Sequence, residues 1–174
     1  MSTIRHAVPA DSAALHELAA TTFPLACPPG TAPEAMQAFI DEHLTERHFD
    51  AYLADPTRHI LVAGDFDGYA LLVTGEPDDT DVAAALTTRP TVELSKLYVL
   101  PDGHGAGIAT ALMQAVFAHA AELGAKAVWL GVNQHNGRAN AFYERSGFPV
   151  VGTKSFMVGD ERHDDFTREH VLAD

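Results

Sequence analysis

Three glycines within five residues, Gly103, Gly105 and Gly107, follow an apolar, β-branched run that ends at Pro101, and an alanine-rich helical pattern comes after them. A strand that turns through glycines into a helix leaves the first helical N–H groups without intrahelical partners. Those donors and the helix dipole attract phosphate. The chemistry on offer is main-chain capture of a phosphorylated ligand, with no lysine required. The plainer use of such a cluster is a tight turn alone. Two other nucleotide motifs fail on spacing. The Gly-Lys-Ser/Thr of a P-loop is absent, and Gly105-Ala106-Gly107-Ile108-Ala109-Thr110 lacks the third glycine of a dinucleotide fingerprint and lies in mid-chain.

A second group of residues lies at 132–148. If Asn136 starts a helix, then Asn136, Asn140 and Tyr143 stand at i, i+4 and i+7 on one face, a polar stripe suited to lining a wet groove. Ala139, Phe142 and Ser146 fall on an adjacent face, where core packing is their natural use. Capping by Asn136 and simple packing of Tyr143 are the plainer alternatives. Glu93 stands inside the otherwise apolar run 91–100. A carboxylate there is costly unless it is ion-paired, with Lys96 or a surface arginine, or functional.

The elements that must position these residues follow from periodicity. A short strand is expected at 4–8, with Asp11 or Ser12 capping a helix whose apolar residues are Ala14, Leu15, Leu18, Ala19 and Phe23. Residues 24–33, rich in proline, form a loop. Two helical pieces follow, at 34–44 and around Phe49, Tyr52 and Leu53. Apolar runs at 59–65 and 68–75 flank Asp67-Gly68, a hairpin signal. Residues 77–90 form an acidic connection without a clear element. The central strand is 91–100 and the long helix 106–123, closed by Gly124. A strand at 126–132, a helix from Asn136 to Gly147, and strands at 149–158 and 164–172 complete the chain. This order describes one mixed α/β sheet in a single domain, residues 1–174.

Composition narrows the classes. The chain has 174 residues, 11 basic and 24 acidic, for a formal charge of −13. No basic stripe is available to displace counterions from nucleic acid, so nucleic acid is not an expected partner. The negative field suits a cationic small substrate. No run approaches the roughly 20 apolar residues that span a bilayer. Residues 1–6 lack the layout of a secretory signal, and Cys27, the single cysteine, fits a reducing, cytoplasmic setting. The 10 histidines show no metal-ligand spacing, no metal is expected, and no G-x-S-x-G elbow is present.

Two segments together resemble the GNAT superfamily of acyl-CoA-dependent N-acyltransferases. Leu97-Tyr98-Val99-Leu100-Pro101 with His104-Gly105-Ala106-Gly107-Ile108-Ala109 is similar to the family's L-x-V-x-P…[QR]-x-x-G-x-[GA] stretch. Asn136, Ala139, Tyr143 and Gly147-Phe148 follow its N-x-x-A-x-x-x-Y-x-x-x-G-F stretch with slight variation. The resemblance implies a central mixed, mostly antiparallel twisted sheet with helices on both faces, and acetyl-CoA as cosubstrate. Main chain at Leu97, Tyr98 and Val99 would pair with the pantetheine arm. Amides of His104, Gly105, Ala106, Gly107, Ile108, Ala109 and Thr110 would hold the diphosphate, and Asn136, with Asn140 beside it, would contact the cofactor. Tyr143 would be the general acid for the leaving thiolate and Glu93 the base that deprotonates the amine. His104 departs from the family's Gln or Arg and implies cofactor affinity that weakens above neutral pH.

Among family members the chain looks most like the bacterial polyamine N-acetyltransferases, on Glu93-Leu-Ser-Lys-Leu-Tyr-Val and on Gly152-Thr-Lys-Ser-Phe-Met-Val-Gly159-Asp160 followed by Asp165. Acidic side chains at Glu93, Asp164, Asp165 and residues 76–81 would then hold a polycation. A homodimer is the assembly that the resemblance implies. A non-catalytic acyl-CoA sensor and an acetyltransferase of protein N-termini or lysines are the alternative functions.

Overall fold

Apolar periods of 3.6 and 2 along the chain resolve into alternating helices and strands in a computed structural model, which describes residues 3–101, 107–158 and 160–173. The helices are α1 (Ser12–Ala26), α2 (Pro33–His43), α3 (Glu46–Ala54), α4 (Thr80–Ala85), α5 (Ile108–Glu122) and α6 (Gly137–Arg145). The strands are β1 (Ile4–His6), β2 (Arg58–Ala63), β3 (Gly68–Thr74), β4 (Thr91–Val99), β5 (Ala127–Asn133), β6 (Val150–Val158) and β7 (Glu161–Val171). They hydrogen-bond in the order β1-β2-β3-β4-β5-β7-β6. β4 and β5 are parallel, while β1/β2, β5/β7 and β6/β7 are antiparallel, which is the expected mixed, mostly antiparallel sheet. None of the helices is long and apolar enough to cross a membrane, among the described residues.

The chain forms two compact units, Met1–Leu72 with Lys96–Val116 and Val73–Ser95 with Phe117–Asp174. In the first, Leu15, Leu18, Ile40, Leu44, Phe49, Tyr69, Leu112 and Val116 are buried together with the β2 run Ile60–Ala63. Phe49 meets Tyr69 edge-on at 6.2 Å between ring centres, and Tyr69 lies 5.8 Å from Tyr98. In the second, Val92, Leu94, Leu130, Val132 and Phe148 are buried, and Val82, Leu86 and Trp129 form a cluster closed by Val151. Phe117 stacks on His170 at 4.1 Å and approaches Phe148 at 5.7 Å.

Four local features differ from the sequence expectation. α1 runs through Pro24 to Ala26, because a proline in a last turn forfeits only one helical bond, so the proline-rich loop begins at Cys27. The β2–β3 turn places its positive-φ residues at Gly64 and Phe66, and Gly68 opens β3, so Asp67-Gly68 is not the two-residue turn itself. The acidic connection holds a helix, α4, capped by the Asp79 carboxylate, which accepts from Asp81 and Val82 N–H. Asp11 starts α1 without capping it. Its carboxylate accepts from the Val8 amide at 2.8 Å and from Arg5 Nη1 and Nη2 at 2.8 and 3.2 Å.

The Arg5 hydrogen bonds hold the Asp11 carboxyl below its ordinary value of 3.8, with burial opposing and the Val8 amide assisting. A lowered folded-state pKa gives stability that is present above 3.8 and lost as pH falls through the folded value. Asp11→Asn is therefore expected to cost about 2 kcal/mol in urea unfolding at pH 7, and the difference from the parent should shrink toward nothing in strong acid.

Candidate functional site

β4 carries the first set of candidate residues. In the first unit its end presents Leu97 and Tyr98 half-buried and Val99 buried, and the Leu100 amide donates to Asp67 O at 2.9 Å. His104, Gly105 and Ala106 lie outside the described residues. Gly107 has φ +79, a conformation that a side chain would strain, and its carbonyl accepts the first α5 bond from Ala111 N at 2.9 Å. Ile108 is buried, Ala109 half-buried and Thr110 exposed. The first turn of α5 contains no acidic residue, so its open N–H groups and positive dipole end have no carboxylate of that turn to neutralise them. A helix start of this kind can receive an anion.

α6 carries the second set, in the other unit. Asn136 caps the helix, as its sequence position implies, with Oδ1 accepting from Ala139 N at 3.2 Å. Asn140 spends its amide on the protein. Its Nδ2 donates to Asn133 O at 3.0 Å and Asn136 O at 2.9 Å, and its Oδ1 accepts from Arg168 Nε at 3.1 Å. The expected stripe of three polar groups facing a groove is thus turned largely inward at its middle. The apolar stripe is also weaker than expected. No α6 residue is fully buried: Phe142 packs beside Tyr143, Tyr143 meets Phe148, and Phe148, which follows the helix, takes the core position itself. Tyr143 is half-buried, and burial pushes its pKa up to about 12.

The third set surrounds a cleft of about 220 Å³ in the second unit, lined by Asp79, Glu93, Ser95, Trp129, Lys154 and Asp165 among others. Register explains why these residues meet. Glu93 stands opposite Trp129 in the parallel β4/β5 pair, Asn133 stands opposite Asp165, and Asp165 stands opposite Lys154 in the β6/β7 hairpin. α4 supplies the remaining wall and sits down on β6 at Gly152, where a Cβ would come within 2.6 Å of the Ala85 Cβ. Asp79, at the head of that helix, accepts from Lys154 Nζ at 2.7 Å. The Lys154 hydrogen bond, followed by the amide of Val82, lowers the Asp79 pKa. Burial raises that of Asp165, with Lys154 and His163 pulling the other way.

Three carboxylates therefore share this cleft with one lysine. The other acidic residues proposed from sequence go elsewhere. Asp164 accepts from Ser155 and Arg162, and Glu76 pairs with Arg89 at 3.1 Å. Sequence inspection missed Asp79 and Lys154 as a pair, although an aspartate three residues ahead of Val82 has the form of an N-cap. It also missed Arg168, whose signal was an arginine placed within the final strand between Phe166 and His170. No group of three or more histidines, cysteines or carboxylates suited to a metal occurs among the described residues.

Comparison with known proteins gives four matches of note. The model of the acetyltransferase (GNAT) family matches residues 13–148. An uncharacterized N-acetyltransferase of Mycobacterium tuberculosis is 48% identical over 166 residues, covering 94% of this chain and 99% of its own. A mycothiol acetyltransferase of Propionibacterium freudenreichii is 37% identical over 127 residues, 68% of this chain and 41% of that protein. Among solved structures, the PaiA N-acetyltransferase of Thermoplasma acidophilum in complex with coenzyme A shares the fold, with a TM-score of 0.77 at 18% identity over 99% of both chains.

Proposed function

Because the chain belongs to the acetyltransferase (GNAT) family, whose members transfer an acetyl group from acetyl-CoA to an amine, we propose that its acceptor is a small cationic primary amine of the polyamine type, bound in the carboxylate-lined cleft beside Glu93. The observation that carries this reading is the excess of Asp79, Glu93 and Asp165 over Lys154 among the lining residues. We take residues 1–174 as one N-acetyltransferase domain working on a donor and an acceptor held together.

Acetyl-CoA, when bound, supplies the thioester carbonyl that the amine attacks. Main chain at Leu97, Tyr98 and Val99 aligns the pantetheine arm, and the amides at 104–110 receive the diphosphate. Support for that assignment comes from the α5 start, which carries no acidic side chain in its first turn, and from the coenzyme A present in the Thermoplasma relative. Asn136 contributes at the head of α6. Glu93 takes a proton from the ammonium, directly or through a water, so that the nitrogen lone pair is available. Tyr143 donates a proton to the sulfur as the C–S bond breaks and the N–C bond forms, and recovers it from solvent, while the second proton of the former ammonium leaves the nitrogen for solvent as the amide forms.

Thiol release measured with acetyl-CoA against diamines, polyamines, amino acids and peptides tests the acceptor. Release is expected to be fastest with diamines and polyamines, and release with peptides alone would overturn the reading. In the same samples, acetyl-CoA at one hundred times its Kd should stabilise the fold by about 2.7 kcal/mol. That shift without thiol release on any amine would mark a sensor rather than an enzyme.

A further inference from the structure

We propose that Arg168 is a positioning residue for the acyl transfer, bracing both ends of α6 so that Asn136 and Tyr143 are held where the reaction needs them. The inference rests on the assignment of α6 to the cofactor given above. Arg168 lies on β7 between Leu130 of β5 and Val150 of β6, and only 5% of its surface is exposed. Its Nε donates to Asn140 Oδ1 at 3.1 Å, and its Nη1 donates to Glu144 Oε2 at 2.7 Å and to Phe148 O at 2.6 Å.

Each bond has a positional consequence. A guanidinium has donors and no acceptor, so the Asn140 amide must turn its oxygen toward Arg168. Its Nδ2 is then directed at the Asn133 and Asn136 carbonyls, at 3.0 and 2.9 Å. Asn133 O also accepts the Asn136 amide at 3.1 Å, so the tight turn that delivers the Asn136 cap is tied twice to the same carbonyl. At the other end, Phe148 receives Arg168 through its carbonyl and donates its amide to Tyr143 O at 3.0 Å. Its ring meets that of Tyr143 edge-on at 6.0 Å. Tyr143 therefore lies between two points fixed by one side chain.

Energetics argue against a merely cohesive role. A buried cation whose carboxylate partner, Glu144, is 67% exposed recovers little of its desolvation cost, and an apolar residue of similar size would hold a hairpin at least as well. What an apolar residue could not do is fix the orientation of the Asn140 amide. Asn140 thus serves the cofactor through the main chain of Asn136.

The experiment compares Arg168→Met, Arg168→Lys, Asn140→Ala and Asn136→Ala by steady-state kinetics well below each melting temperature. Arg168→Met is expected to raise the acetyl-CoA KM about tenfold and lower kcat about tenfold, with the amine KM within about twofold of the parent. Arg168→Lys should restore little, because a point charge does not orient an amide. Asn140→Ala should reproduce the rise in acetyl-CoA KM, and the double variant Arg168→Met with Asn140→Ala should be no worse than Arg168→Met alone. Parent kinetics in a folded Arg168→Met protein with a lowered Tm would overturn the inference. Should that variant not fold, an unchanged acetyl-CoA KM in Asn140→Ala overturns it equally. If Asn136→Ala itself leaves the acetyl-CoA KM at the parent value, it is the assignment of α6 to the cofactor that fails.

Discussion

Glu93→Gln is expected to lower kcat/KM for the amine about 100-fold at pH 7, the low end of what general-base catalysis contributes. The substitution keeps the shape of the side chain and its ability to accept a hydrogen bond, but removes the site for a proton. An amine with a pKa near 10 arrives almost entirely as the ammonium at neutral pH, so the parent relies on the carboxylate to free the lone pair. In the variant only the small fraction of amine already neutral can react. Its rate should rise about tenfold per pH unit toward the amine pKa, and the gap to the parent should close as the medium becomes alkaline. A Glu93→Gln enzyme with the parent's rate and pH profile would make Glu93 a structural residue of β4. Turnover and binding are separable here, because acetyl-CoA should still raise the melting temperature of this variant as it does the parent's.

Tyr143→Phe should lower kcat about 10- to 100-fold while the melting temperature stays nearly the same. The ring contacts that survive are those to Phe142 at 5.6 Å and Phe148 at 6.0 Å, and only the hydroxyl is lost. Burial pushes the phenol pKa up to about 12, so the donor stays loaded through the physiological range and well beyond it. The protonated form is the useful one, and raising the pKa extends its range upward. The parent's kcat should therefore show no decline from this group below about pH 10. The same elevation limits the gain. A phenol held above its ordinary pKa gives its proton to a thiolate with pKa near 8.5 less readily than an unperturbed one. That is the reason for placing the effect below the upper range of acid–base catalysis. Undiminished turnover in Tyr143→Phe would leave the residue a packing role only.

What was legible in the chain was what local chemistry dictates. Gly124 closes α5 with φ +84, Asn136 caps α6, and β4 ends at Val99 with α5 beginning at Ile108. The parallel β4/β5 pair and antiparallel β6/β7 hairpin also follow from the order of elements. What was hidden depends on register and on distant partners. Asp165 and Lys154 face each other because the hairpin keeps one register from the Val158/Glu161 pair at its turn to the Gly152/Thr167 pair. Asp79 joins them only because α4 can settle on a residue without a side chain at position 152. The inward use of Asn140 required knowing that Arg168, 28 residues later, would lie beside it. Helical spacing gives the face of a residue and not what waits there.

The connector between β3 and β4 is fastened at three points. Arg89 clasps Glu76, Asp79 receives Lys154, and the buried Glu169 carboxylate gathers the amides of Thr87 and Thr88 together with the Thr87 hydroxyl. A segment so secured is a finished wall of the cleft before any amine arrives, and not a flap that must close over it. The entropy of ordering it is met once, when the chain folds, and affinity for the incoming molecule does not have to include it.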